Sequence, residues 1–147
     1  MERHAGRASF QLPDGWLDQS TYSYASSDRR LKVTLFFDSA IDEPTSDAVI
    51  ADRLATAKAI LPKFRIIAGP EQVKIAGLEG TTVTFDNQDA DRATRTRLLV
   101  ALFAPRNGIV ITAQGPAIGA AEFERIWQAF LASFAMDGQG LLGRQGG

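Results

Sequence analysis

Two carboxylates, Asp14 and Asp18, stand on either side of Trp16. Two acids so close in sequence can serve general acid–base chemistry, one giving a proton while the other takes it. Here both lie in or next to Pro13-Asp14-Gly15, and a turn with an anchoring aromatic accounts for all of them. A second acidic run, Asp86-Asn87-Gln88-Asp89-Ala90-Asp91, has the look of a calcium loop. Such a loop needs glycine at its sixth position and glutamate at its twelfth, where this chain has Asp91 and Arg97. The run therefore reads as a solvated hairpin tip. Gly115-Pro116-Ala117-Ile118-Gly119 joins a strand to a helix, where backbone N–H groups can face an anion. It has neither the Lys-Ser/Thr of a P-loop nor a G-x-G-x-x-G fingerprint, so it reads as the turn into a helix. Tyr22 and Tyr24 share one strand face. They either close the core or line an apolar groove with their polar tips, and the residues alone leave both readings open.

Counts of the reactive residue types narrow the chemistry further. Cysteine is absent and histidine occurs once, at His4. No disulfide framework, cysteine-bearing zinc site or Cys–His dyad can be built. A Ser–His–Asp triad would have to recruit His4 from the chain terminus. No catalytic residue, metal ligand or cofactor site is expected, and the chain reads as non-enzymatic.

Net charge is −1 over 147 residues, which gives no electrostatic reason to expect nucleic acid. The arginines are scattered. Arg29-Arg30 reads as a hairpin tip, and Arg92, Arg95 and Arg97 as an exposed strand end. Met1-Glu2-Arg3-His4 runs into polar residues without an apolar signal-peptide core. No run approaches the roughly 20 apolar residues of a membrane helix. The expectation is a cytoplasmic protein that does not itself insert into a membrane. Hydrophobic residues make up 45% of the chain, enough for one packed domain.

The elements that must position these residues are legible from period and punctuation. Ala8–Leu12, Ser20–Ala25 and Leu31–Phe37 read as strands separated by turn residues. In the third, Leu31, Val33, Leu35 and Phe37 share one face and Lys32, Thr34 and Phe36 the other. A helix starts at a Ser46 cap and stops at Pro62, with Ile50, Leu54, Ala57 and Leu61 on one side. Next comes Arg65–Ile75, one strand or a pair broken around Gly69-Pro70. Strands follow over Thr81–Asp86, Thr94–Ala104 and Ile109–Gln114, with Pro105-Arg106-Asn107-Gly108 as the last hairpin turn, of Asn-Gly chemistry. Ala120–Phe134 is an amphipathic helix, with Phe123, Ile126, Trp127, Phe130, Leu131 and Phe134 on its apolar side. Residues 1–7 read as a flexible start and 136–147 as a flexible glycine-rich tail, leaving one domain over 8–135.

Short turns between consecutive strands predict an α+β fold, an antiparallel sheet of six or seven strands flanked by helices. Six strands at about 4.8 Å span roughly 29 Å. Two helices about 10 Å across cover most of only one face. Yet Leu31–Phe37 and Leu98–Phe103 are apolar on both faces. A loop, a second subunit or a ligand must cover the rest.

Several segments, in order, resemble a known family. Phe10-Gln11-Leu12-Pro13-Asp14-Gly15-Trp16-Leu17-Asp18 resembles the "F-x-L-P-x-G-W-x-D" start of DcrB-like proteins, which have the PsbP-like α/β/α sandwich fold. Leu61-Pro62-Lys63-Phe64 ends the first helix, Ala76-Gly77-Leu78-Glu79-Gly80 enters the central strand, Ile111-Thr112-Ala113 lies late, and Ser133-Phe134 closes the last helix, as in that family. The resemblance spans roughly residues 8–135 and is greatest to the Eag chaperones of bacterial type VI secretion. It implies a homodimer that shields the apolar N-terminal transmembrane helices of a PAAR-domain effector in a groove and aids loading on the VgrG spike. The partner-binding residues it implies here are Tyr22, Tyr24, Thr34, Phe36, Leu99 and Ala101, with the Leu31–Phe37 apolar face turned to the helices. The chain departs from the family at Arg95-Thr96-Arg97, where glutamines are common, and at Phe37-Asp38, where a basic residue is common. The alternative is a module of the same fold that binds a protein or small ligand outside secretion.

Overall fold

The computed structural model describes residues 2–5, 8–11, 21–117 and 120–134. The expected Pro13-Asp14-Gly15 turn with Trp16 and Asp18, Ile118 and Gly119 of the expected helix-entry turn, and the glycine-rich tail lie outside them. The elements are β1 (Glu2–Ala5), β2 (Ala8–Gln11), β3 (Thr21–Ala25), β4 (Lys32–Asp38), α1 (Ser46–Ile60), β5 (Arg65–Ile75), β6 (Leu78–Asp89), β7 (Arg92–Ala104), β8 (Asn107–Pro116) and α2 (Ala120–Ser133). The fold is α+β. Six antiparallel strands form an open sheet in the order β3-β4-β8-β7-β6-β5. β1 pairs with β2 in a separate two-stranded ladder. Four residues carry too little periodicity to mark β1 as a strand from sequence.

Each face of the sheet carries one helix, the layering of an α/β/α sandwich, where the width argument from sequence places both on one face. Alternation along the strands makes this division. Val33, Leu35 and Phe37 of β4, Leu99 and Ala101 of β7, and Ile109, Ile111 and Ala113 of β8 pack with Phe123 and Trp127 of α2. The intervening Phe36, Leu98, Val100 and Val110 pack with Val49 and Ile50 of α1. β7 and β8 thus feed two cores from one backbone, which is why Leu98–Phe103 is apolar at every position.

α1 starts one residue earlier than the Ser46 cap predicted from sequence. Thr45 has extended backbone and its hydroxyl accepts from the Ala48 N–H at 3.2 Å. At the other end the Leu61 N–H reaches the Ala57 carbonyl at 2.8 Å before Pro62 stops the helix. The Ser46 side chain turns instead to the sheet, with its hydroxyl 2.8 Å from that of Thr81. Thr81 donates to Asp47 at 2.5 Å, and Gln72 donates to the same carboxylate oxygen at 2.7 Å. This polar group ties the first turn of α1 over β5 and β6, and the helix packs on β5, β6 and β7.

α2 lies on the opposite face, against β8. Phe123 and Trp127 are buried beneath it, while Ile126, counted in its apolar side from sequence, is 36% exposed. Gly115 explains how close the helix comes. A Cβ there would sit 2.5 Å from Leu31 Cδ2 and 2.9 Å from Phe123 Cδ2. The β7–β8 hairpin turns on Pro105-Arg106, the first half of the expected turn, with Arg106 at φ 65°, while Asn107 and Gly108 already belong to β8. Asn107 supports the turn by donating to the Pro105 carbonyl at 2.8 Å.

Candidate functional site

The two helices do not cover the sheet evenly. On the α1 face, the helix packs mainly on β5, β6 and β7 and reaches Val110 of β8 and Phe36 of β4; among the described residues no helix lies over the rest of the β8, β4 and β3 quadrant. Register assigns the side chains of that quadrant. Ser23, Thr34 and Thr112 form one cross-strand row, and Thr21, Phe36 and Val110 the next. Asp38 follows on the same face of β4, opposite Gly108. Ser23 and Thr21 are exposed; Thr34, Phe36 and Thr112 are half-buried. The Ser23 and Thr34 hydroxyls lie 3.1 Å apart. The result is a strip of small hydroxyl residues with one aromatic, Phe36, whose inner side packs against the α1 core.

Of the six residues implied as partner-binding, the structure brings only Thr34 and Phe36 together on this strip. Tyr22 pairs with Leu35 and Tyr24 with Val33, so both tyrosines point to the α2 face. Tyr24 is 65% exposed there. Leu99 pairs with Ile111 and Ala101 with Ile109 on that same face, and neither Leu99 nor Ala101 exposes any surface. The six residues therefore do not form one groove. A shift of one residue in register exchanges the faces of a strand, and only the observed pairing fixes it. The strip residues Ser23 and Thr112 were missed. Their signal was the parity with Thr34, readable only once β3 and β8 are known to flank β4.

Beside the strip, the β4–α1 loop and α1 enclose an open groove of about 500 Å³. Asp38, Asp42, Glu43 and Asp52 line it, with Arg53 as the one basic residue. Asp38 accepts from the Ala40 N–H at 2.8 Å and faces Arg53 at 3.7 Å. Asp42 is held at 3.3 Å by Arg106 from outside the lining set.

The arginines of β7 have structural partners, which corrects their reading as an exposed strand end. Arg95 donates to both oxygens of Asp86, at 2.8 and 2.9 Å, across the β6–β7 ladder. The Asp86 hydrogen bonds hold its guanidinium above the ordinary arginine pKa. Arg97 pairs with Glu124 of α2 and lies 5.7 Å from the Trp127 ring centroid. Of the three, Arg92 alone is exposed. Asp86 is thus occupied by Arg95, and the acidic run ends in the β6–β7 hairpin, with Asp89 opposite Arg92. At the β3–β4 turn, the hydroxyl of Ser26 donates to Asp28 at 2.6 Å and the Arg30 N–H at 3.0 Å. These bonds, that of Ser26 first, keep the Asp28 carboxyl below the usual carboxylate range.

No family profile matches the chain, and no curated protein sequence does. Solved structures do. PA94, a protein of unknown function from Pseudomonas aeruginosa, superposes with a TM-score of 0.74 over 93% of this chain and 96% of its own, at 18% identity. The two share a fold. LpqN, involved in cell envelope biogenesis of Mycobacterium tuberculosis, gives a TM-score of 0.48 at 10% identity, over 69% of this chain and 58% of its own. Among the described residues no helix is long and apolar enough to cross a membrane.

Proposed function

We propose that this chain is a non-enzymatic chaperone or adaptor that holds an apolar helix of a client protein on its sheet. The supporting observation is the strip on β3, β4 and β8 where, among the described residues, no helix lies over Ser23, Thr34 and Thr112 and only the inner side of Phe36 meets the α1 core. Three strands at about 4.8 Å make a surface roughly 14 Å wide, room for one α-helix. Small hydroxyl residues at Ser23, Thr34 and Thr112 let a helix backbone come close, and Phe36 gives it an apolar contact. The motifs that resemble Eag chaperones give the client a chemistry. It is the N-terminal transmembrane segment of a type VI secretion PAAR effector, kept from water in the cytoplasm by a dimer of this chain and passed to the VgrG spike.

Co-expression tests the reading. An effector segment with apolar N-terminal helices is expected to be soluble only when this chain is present. Phe36 packs into the α1 core, so a charge there would disturb folding as well as binding. Thr34→Arg instead puts the charge on the open strip. It is expected to abolish solubilisation while circular dichroism and melting temperature stay those of the unaltered chain. A Thr34→Arg chain that rescues the client equally well would refute the strip as the binding surface.

A further inference from the structure

The groove at α1 adjoins the strip and differs from it in charge. Four carboxylates, Asp38, Asp42, Glu43 and Asp52, line it; Arg53 faces Asp38 and Arg106 reaches Asp42 from outside, which leaves Glu43 and Asp52 as an excess of two negative charges, while the whole chain carries −1. Its walls also offer apolar surface, including Ile60, a large aliphatic residue left 71% exposed at the end of α1. Thr34, Phe36 and Asp38 alternate on one face of β4, so the strip runs directly into the groove.

We infer that the groove receives a basic flank of the same client helix, lysine or arginine residues beside apolar ones. The inference rests on the strip as the helix site. Charge complementarity selects a cationic occupant, and the exposed Ile60 selects one with apolar neighbours. Apolar membrane helices commonly carry such cations at one end. Spacing adds a constraint. Thr34 and Asp38 are four strand residues apart, about 14 Å. A helix rises about 1.5 Å per residue, so the first cation falls roughly nine residues from the position over Thr34. The groove thereby fixes which way the client helix lies. Its cationic end is at the β4–α1 loop and its apolar body crosses Phe36 and Thr34.

Binding of labelled synthetic peptides to the full chain, followed by fluorescence anisotropy, tests this. Three peptides share one apolar helical body and end in lysines, serines or glutamates. The lysine peptide is expected to bind about tenfold more tightly than the serine peptide at low salt, and the glutamate peptide more weakly still. High salt should shrink the difference, because the carboxylates sit in an open groove. The double variant Asp42→Asn, Asp52→Asn should remove the lysine preference while the serine peptide binds as before. Equal binding of all three peptides overturns the inference and leaves the strip reading standing. A lysine preference that survives in the double variant also overturns it, since the cation is then held elsewhere. The serine peptide reads the strip alone. Its failure to bind refutes the strip and, with it, the placement of the helix inferred here.

Discussion

Leu99 and Thr34 show how much one residue's environment decides. Both belong to strands rich in apolar and β-branched residues, and both stand among the residues implied as partner-binding. Leu99 has no exposed surface and lies between Ile111 and Thr82 in the ladder. Thr34 keeps an open side, with its hydroxyl beside that of Ser23. Leu99→Ala is expected to cost about 2–5 kcal/mol through the cavity it leaves, and Thr34→Ala less than about 0.5 kcal/mol. Denaturant titration of both variants checks the contrast. Similar costs for the two would contradict the burial that divides core from strip. The faces of β4 itself were legible, because Leu31, Val33, Leu35 and Phe37 alternate cleanly. The tyrosines of β3 were not. Their parity relative to β4 depends on the Ser26–Leu31 turn, where Ser26 N–H bonds the Leu31 carbonyl at 2.9 Å and Arg29 takes φ 62°.

Element by element, α1 shows what lateral placement requires. Its existence and stop follow from local chemistry: a hydroxyl cap, Asp47 in the first turn, Lys58 in the last and Pro62 beyond. Its place on the sheet follows from Ser46, Asp47, Gln72 and Thr81, residues brought together from three elements. Choosing between Thr45 and Ser46 as cap needed that group, because both are good caps and the sheet claims one of them. Thr45→Ala is expected to cost about 1 kcal/mol, from loss of the hydroxyl that caps the helix. A thermal melt measures it, and an unchanged melting temperature would show the cap to be idle. The same group keeps α1 mainly over β5–β7, so that among the described residues no helix lies over Ser23, Thr34 and Thr112 on that face. The strip is thus a consequence of where a helix is tied.

Across the whole molecule, stability is expected to grade from the sheet centre outward. β7 and β8 contribute to both cores and have a strand on each side, whereas β3 is a short edge strand with mostly exposed residues. Amides of β7 and β8 should exchange last with solvent deuterium and those of β3 first. Exchange of β3 as slow as that of β7 would mean that something further covers this edge. The pattern bears on function, since the strip uses the edge strand together with β4 and β8 from the sheet interior. A client helix lying there would bridge the least and most stable parts of the sheet. Protection of β3 amides on adding client would report its binding.

The sequence by itself determined the α+β class, the order of strands along the chain, the two helices and the exclusion of cysteine chemistry, because these depend on residue type and on periods of two and 3.6. It also determined that the sheet has more apolar surface than two helices on one face can cover. Tertiary structure alone decided which sheet residues each helix covers, that Arg95 and Arg97 are bound by Asp86 and Glu124, and that Thr34 and Phe36 part company with Tyr22, Tyr24, Leu99 and Ala101. The physical reason is register. The face of a strand residue depends on which neighbour it is paired with, and that pairing joins segments as distant as β4 and β8, whose contact no local pattern encodes.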